Sequence, residues 1–573
     1  MKKVLSYLKP YSGRMTLCLV FKILGTLCEL LIPYILSHIL KNVVASSDVK
    51  KIILWGTLMI VCALCSCVCH IIANRTAARV SSNFSEDLRR DLFRATLYLS
   101  ARKIDEITIP SLESRITTDT YNLHNFVGMM QRMGVRVPIL LIGGITLTLI
   151  MDAALALVMI ATLPIIFGIV YFIRCKGVPL YTRVQNSVDS MVRVVREDSE
   201  GIRVIKALSK NDYENRRYEK VNEGLSADER RAGIIMGLPN PIMTLLMNVG
   251  ITAVVAFSAV RVAGHTSDVE TVIAFMQYFT QISMAMMALS RMFVMFTKSS
   301  ASAHRISEIL LAESELVLVK DESPIDENAP HISFENVSFS YLGKVNDIDK
   351  VSFDLPRGGS LGIIGATGSG KSTLVKLLMR FYDVGEGKIK IGGRDVRSYT
   401  HAELCRMFGS AMQNDFLYAD TVEENIKFGR DISHEDVLYG ARVAQAHGFI
   451  TEIPDGYGHM LTPKGTNLSG GQRQRLLIAR AVAAHPEILV LDDSSSALDY
   501  KTDAALRRAL AEELSDTTVV TVAQRVSSVK DCDLILVLEG GRVIGMGTHD
   551  TLLDSCLEYR EISDSQMGGA FVE

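Results

Sequence analysis

The sequence predicts a polytopic α-helical membrane domain of six spans fused to a cytosolic α/β domain built on a phosphate-binding loop. Three observations carry this. Apolar residues concentrate in roughly the first 300 of the 573 positions, and about six stretches there are long enough to cross a bilayer. The remainder carries the charge and the glycine motifs. Within it, the short apolar strand Leu361–Ile364 runs into a glycine-rich loop and then a helical run.

Composition sets the limits. Hydrophobic residues make up 48% and net charge is −2, with a mean hydropathy of +0.23 and an isoelectric point near 6.7. No basic field invites nucleic acid, and that partner class is excluded. The ten cysteines lie mostly in apolar runs or in the second half and outline no disulfide framework. Cys62, Cys65, Cys67, Cys69 and His70 raise a metal reading. Because Cys62, Cys65 and Cys69 share one face of an apolar helix, packing explains them better.

The N-terminal stretch MKKVLSYLKPYSGR is basic and amphipathic without a cleavage site, and reads as a cytosolic elbow helix. Spans are expected at about 15–40, 52–74, 126–150, 153–173, 238–263 and 269–297. An even number puts both ends on one side, the cytosol, since the second half binds nucleotide. Met151 and Asp152 leave room only for a tight external turn. Long charged helical excursions separate spans two and three, and four and five. They carry Arg89, Arg90, Arg94, Arg115, Arg203, Lys206, Arg216 and Arg217, as the positive-inside bias requires, although Lys41, Lys50 and Lys51 in the first external loop run against it. The excursion tips are expected near Pro110–Arg115 and Ser209–Tyr213, where Pro, Ser, Asn and Asp interrupt the pattern.

Lys22, Glu29, Arg132, Arg136, Asn248, Gln277, Gln281 and Arg291 fall in or near spans. Lipid exposure is costly for them, so they face a bundle interior or cavity, or bond between helices. The methionines from Met284 to Met295 read as helix packing. An acidic, proline-containing stretch separates the halves, giving a membrane domain at 1–310, a linker at 311–330 and a nucleotide domain at 331–573.

In the second half, Gly365, Gly368, Ser369, Gly370, Lys371, Ser372 and Thr373 form the phosphate loop ahead of the helical run Leu374–Phe381. Backbone amides at the helix start cradle phosphate oxygens, Lys371 reaches the outer phosphates of ATP, and the Ser372 hydroxyl is suited to Mg2+. A second apolar strand, Ile488–Leu491, ends in Asp492, whose carboxylate suits the same ion. Ahead of it, Leu468, Ser469, Gly470, Gly471 and Gln472 form another glycine turn that opens a helix and offers amides and a hydroxyl to an anion. One domain has no need of two such sites. The second therefore serves a nucleotide held by another subunit.

On these residues the chain resembles a half-transporter of the ATP-binding cassette (ABC) superfamily, exporter type, over essentially its whole length. The resemblance implies that Tyr341 stacks on adenine and that Gln413, in Ala411–Asn414, senses magnesium. It implies that Leu468–Gln472 is the signature, Asp492 the Walker B aspartate and Ser496–Asp499 the D-loop. It also implies a head-to-tail dimer in the lipid bilayer with two ATP molecules between subunits, and excursions that act as coupling helices.

Three positions depart from that pattern. Asp493 stands where the family places a catalytic glutamate, one methylene longer, and a misplacement of about 1 Å can cost about a hundredfold. Gln524 replaces the switch histidine and cannot become cationic. Pro463 stands where a glutamate is common, and His549 is a usual C-terminal feature of the family, not a displaced switch residue.

The expectation is thus a degenerate-site subunit of a heterodimeric bacterial exporter of multidrug, lipid or peptide type, multi-pass in the inner or plasma membrane. It would bind ATP at a hydrolysis-impaired site and lend an intact signature to a second half-transporter, whose own signature is altered. The transported substrate is not fixed by these residues. The rival readings are a homodimeric exporter ATPase and an ATP-gated channel or receptor.

Overall fold

The computed structural model describes residues 2–44, 48–263, 269–312, 329–413 and 415–567, together with 316, 318, 319 and 326. Most of the expected linker, and Asn414 of the glutamine loop, lie outside them. The chain divides into two compact units: Met1–Tyr98 with Thr108–Ala312, and Leu99–Ile107 with Glu313–Glu573.

The first unit is helical, built on Ser12–His38, Val49–Leu97, Thr120–Met133, Arg136–Met151, Ala153–Glu200, Asn211–Gly237, Pro239–Ala263 and Val269–Leu310. Among the described residues, five helices are long and apolar enough to cross a membrane. The remaining expected span, 153–173, falls in Ala153–Glu200, where the described apolar run is only Ala153–Thr162. The tight turn at Asp152 is made by its own side chain. Oδ1 accepts from the amides of Ala154 and Leu155 at 3.0 and 3.3 Å and from Arg261 at 2.9 Å, capping the helix that follows. Deeper in the unit, Ser302 and Arg305 both bond Asp119, and Arg115 bonds Glu308 at 2.8 Å.

The first excursion turns earlier than the sequence suggested. Pro110 does not break a helix there; it sits in the first turn of Ile109–Ser114, where its missing N–H is no loss. The helical pattern breaks instead at Tyr98–Ser100 and at Thr108, whose φ is +68°, and the segment between these breaks that joins the nucleotide unit is Leu99–Ile107. In the second excursion the break spans Leu208–Lys210, with Ser209 at φ +51°, ahead of helix Asn211–Gly237.

The second unit holds two sheets. One is four-stranded and antiparallel, in the order 348–355, 332–339, 386–391, 394–395. The other is six-stranded, in the order 542–547, 534–539, 360–365, 518–522, 488–492, 408–411, parallel except for the first pair. Strand 488–492 is buried at every position, as the central strand of a covered parallel sheet must be. The helix after the phosphate loop is Lys371–Leu378, shorter than the apolar run to Phe381, because Arg380 takes a left-handed conformation, φ +54°, and ends it.

Candidate nucleotide site

Four neighbouring parallel strands, 360–365, 518–522, 488–492 and 408–411, release their carboxyl ends on one side of the sheet. Such ends form the binding crevice of open α/β sheets. The phosphate loop follows the first strand, Gln524 the second, Asp492 and Asp493 end the third, and Gln413 follows the fourth. Residues scattered from Gly368 to Gln524 thus meet in one cavity of about 410 Å³, lined by Gly368, Gly370, Lys371, Ser372, Thr373, Gln413, Asp492, Asp493 and Gln524.

The loop's shape needs its glycines at two points. At Gly365 a Cβ would lie 2.2 Å from the Leu538 carbonyl oxygen. Gly370 holds φ +101° as the residue that opens helix Lys371–Leu378. Lys371 Nζ donates to the Gly365 and Ala366 carbonyls, 2.8 Å each, so the ammonium closes the loop on itself. Burial pushes its pKa down, opposed by Asp493 and Asp492. Ser369 is buried behind the loop with no bonding partner for its hydroxyl, and neither it nor Gly365 lines the cavity.

Ser372 Oγ donates to Asp492 Oδ1 at 3.2 Å. Burial raises the Asp492 and Asp493 carboxyl pKa values above the usual range. Two adjacent acids short of solvent, beside a hydroxyl and the Gln413 amide, are a hard-oxygen set suited to Mg2+. Among the described residues, no group of three His, Cys, Asp or Glu forms a complete metal cage. The ion would therefore depend on phosphate and water for its other ligands.

Asp493 is the hub. Its Oδ2 accepts from Gln413 Nε2 at 3.3 Å and from Gln524 Nε2 at 3.1 Å. Its own amide extends the ladder to the Val522 carbonyl at 2.9 Å, and its φ of +52° swings the side chain off the strand into the cleft. Aspartate tolerates that left-handed conformation better than longer side chains. Gln524 is held in turn from the C-terminal helix Leu557–Met567. Gln566 Nε2 donates to the Gln524 carbonyl at 2.9 Å, and Gln566 Oε1 accepts from the Val526 amide at 2.8 Å. Nothing in the sequence marked Gln566, because a glutamine in a polar terminal helix carries no pattern.

Tyr341 stands at the margin, its hydroxyl 3.5 Å from Thr373 Oγ1 and its ring edge-on to Phe339 and Tyr382. Tyr382 also bonds Asp105 of helix Ala101–Ile107 at 2.5 Å. Sequence reasoning also passed over Asn346, Asp347, Gly540 and Gly541, which line the cavity. The Gly540-Gly541 hairpin turn was the available signal.

Ser469, Gly470, Gly471 and Gln472 do not line this cavity. They open helix Gly470–Val482 with a capping box, Ser469 Oγ accepting from the Gln472 amide at 3.2 Å and Gln472 Oε1 from the Ser469 amide at 2.9 Å. This turn packs against the segment Ser496–Asp499, since a Cβ at Gly471 would sit 3.2 Å from the Ala497 carbonyl. Pro463 starts a short 3-10 turn, and His549 bonds the Tyr559 hydroxyl at 2.8 Å, outside the cavity.

A phosphate-loop ATPase domain joined to a polytopic membrane domain is the class that this fold and site define. Family models agree, one described as the ABC transporter transmembrane region over residues 15–286 and one as ABC transporter over residues 348–496. The chain is 33% identical to the uncharacterized ABC transporter ATP-binding protein YfiB of Bacillus subtilis, covering 99% of each. It is 30% identical to the putative ABC transporter ATP-binding protein exp8 of Streptococcus pneumoniae serotype 4, over 99% of this chain and 97% of that one. A solved structure of a bacterial Atm1-family ABC exporter with ATP bound shares the fold at a TM-score of 0.82 and 22% identity, covering 98% of this chain and 99% of that chain. The chain belongs to the ABC transporter family, with a membrane domain fused to an ABC ATPase domain. It is a multi-pass membrane protein whose ABC ATPase domain implies ATP binding.

Proposed function

We propose that this chain is one half of a heterodimeric exporter, holding ATP at its own weakly hydrolytic site while its signature segment completes the catalytic site of a different partner. The arrangement around Asp493 carries the reading. The carboxylate that would accept a proton from the attacking water is short, and its Oδ2 is tied to the neutral amides of Gln413 and Gln524. An amide at 524 stays neutral at every working pH, whereas a histidine there could become cationic beside the γ-phosphate.

In this reading Tyr341 stacks on adenine, the loop from Gly365 to Thr373 binds the phosphates, and Lys371 exchanges its carbonyl partners for phosphate oxygens. Ser372, Asp492 and Gln413 would hold Mg2+, which when bound neutralises charge on the outer phosphates. Ser469, Gly470, Gly471 and Gln472 face the partner's nucleotide. The six spans, the division at 1–310, 311–330 and 331–573, the bacterial plasma membrane and a cytosolic ATPase domain with both termini on that side belong to the same proposal.

A second reading, a homodimeric ATPase, has one observation in its favour. Among the described residues Asp493 Oδ1 accepts no protein hydrogen bond, so one oxygen stays open to a water. Steady-state hydrolysis by the purified chain, alone and with its partner, separates the two. The heterodimer reading expects turnover by the chain alone to be lower by about 100-fold or more, and ATP, not ADP, recovered from its site in the pair. Comparable rates alone and paired would overturn it.

A further inference from the structure

Several ionisable residues that the nucleotide chemistry does not use gather in the membrane unit, on helices Ser12–His38, Val49–Leu97, Thr120–Met133 and Arg136–Met151. Arg136 Nη2 bonds Glu29 Oε1 at 2.8 Å, and His70 Nε2 lies 3.3 Å from the other oxygen of the same carboxylate. Lys22, only 3% exposed, has the Asn74 amide oxygen at 3.1 Å and, among the described residues, no carboxylate bonded to it. Arg132 is likewise without a carboxylate partner among the described residues, and both arginines lie within electrostatic reach of Lys22. Three cations thus share one anion.

Polar atoms of the cluster and of Gln131, the residue before Arg132, are also unmatched. Gln131 is 5% exposed with neither amide atom bonded, and His70 Nδ1 and Arg136 Nε are buried without partners. Native interiors rarely leave so many orphans together. Uncompensated charge at membrane depth costs several kcal/mol, and such groups face a cavity rather than lipid. The cluster is not sealed, since the side chains of Glu29, His70 and Arg136 remain 23%, 18% and 30% exposed.

We propose that this cluster is a recognition site for an anionic group, a carboxylate or phosphate, on the transported molecule. It deepens the export reading and rests on it. Lys22, Arg132 and Arg136 supply the excess positive charge, Gln131 supplies unused hydrogen-bonding capacity, and Glu29 with His70 orients the Arg136 guanidinium. Cargo of a single positive charge is disfavoured by the same field.

The test is equilibrium binding of two related dyes, anionic fluorescein and cationic rhodamine 123, to the assembled full-length transporter in nanodiscs without ATP, read by fluorescence anisotropy. Fluorescein is expected to bind at least about 10-fold tighter than rhodamine 123 and to weaken with salt. Lys22→Gln and Arg136→Gln should each loosen fluorescein about 10-fold, with Arg136→Lys recovering most of the loss. Equal or reversed dye preference, or fluorescein binding untouched by both variants, overturns the proposal. Nanodiscs of phosphatidylcholine alone and of phosphatidylcholine with phosphatidylglycerol separate the sources of the anion. Fluorescein displaced by the anionic lipid would assign the site to a headgroup and overturn the cargo assignment. Because no ATP is present, the result does not depend on which composite site hydrolyses. Anion binding without ATP-driven uptake into inverted vesicles would sink the export reading while leaving the site.

Discussion

Gln524 Nε2 donates to Asp493 Oδ2 at 3.1 Å, joining the two residues that differ from an ordinary hydrolytic site. The bond places a neutral donor on the carboxylate that should act as base. Replacing both, Asp493→Glu with Gln524→His, is expected to raise hydrolysis at this site by about 100-fold or more if the partner's signature is competent. The left-handed backbone at 493 sets a limit, since a longer side chain at φ +52° costs about 1 kcal/mol. Single-turnover hydrolysis in a pair whose partner carries an intact signature checks this, and an unchanged rate there with full ATP binding would count against the degenerate-site reading.

Gln566 grips the backbone on both sides of Arg525 and so positions Gln524 without touching the cavity. Gln566→Ala should speed ATP release from this site about fivefold, the scale of losing about 1 kcal/mol of hydrogen bonding. In a Gln524→Ala background the same change should add little, because the two act through one bond. Additive effects on the release rate would make Gln566 a purely structural residue.

Ser469 caps its helix within this chain, and in the proposed reading its hydroxyl also serves the partner's nucleotide. Ser469→Ala should cost about 1 kcal/mol of local stability from the lost cap. Turnover at the partner's site should fall at least tenfold, beyond what the cap accounts for, with ATP affinity at this chain's own site unchanged. A parallel loss at both sites would argue that only the cap matters.

Tyr382 connects the edge of the Tyr341 ring to Asp105 on the segment Leu99–Ile107. Tyr382→Phe keeps the aromatic contact and removes a hydrogen bond worth about 1 kcal/mol. ATP binding should stay within about twofold while ATP-driven uptake falls severalfold, measured in the same vesicles. Equal declines in both would show that the bond serves only the adenine platform.

Acid should weaken the nucleotide domain through His331. Burial, with help from Arg357, holds its imidazole down to about 4, and its Nδ1 lies 2.6 Å from Thr518 Oγ1. The unfolded chain takes up that proton first, near pH 6.5. The native state is therefore fully favoured above 6.5, and about 3 kcal/mol is lost as pH falls from there through 4. Thermal unfolding of the full-length protein should track this slope, and His331→Gln should flatten it. A profile unaltered by that substitution would remove His331 from the account.

The sequence by itself determined the two-part architecture, the phosphate loop, the paired acids and the glycine turn at Ser469, because each is written in local spacing: apolar runs of bilayer length and glycines at helix starts. Tertiary structure decided what those residues meet. That Gln413 and Gln524 converge on one oxygen of Asp493 follows from strand order, which sets residues 80 and 31 positions away at adjoining strand ends. The break expected within Pro110–Arg115 falls at Thr108 instead, because proline can begin a helix as well as end one. Gln566 on the backbone around Arg525 and Tyr382 on Asp105 were invisible in sequence, and Lys22, Glu29, Arg132 and Arg136 were marked there as interior but not as one group, since contacts between distant elements leave no local period. Packing alone brings those side chains within bonding distance.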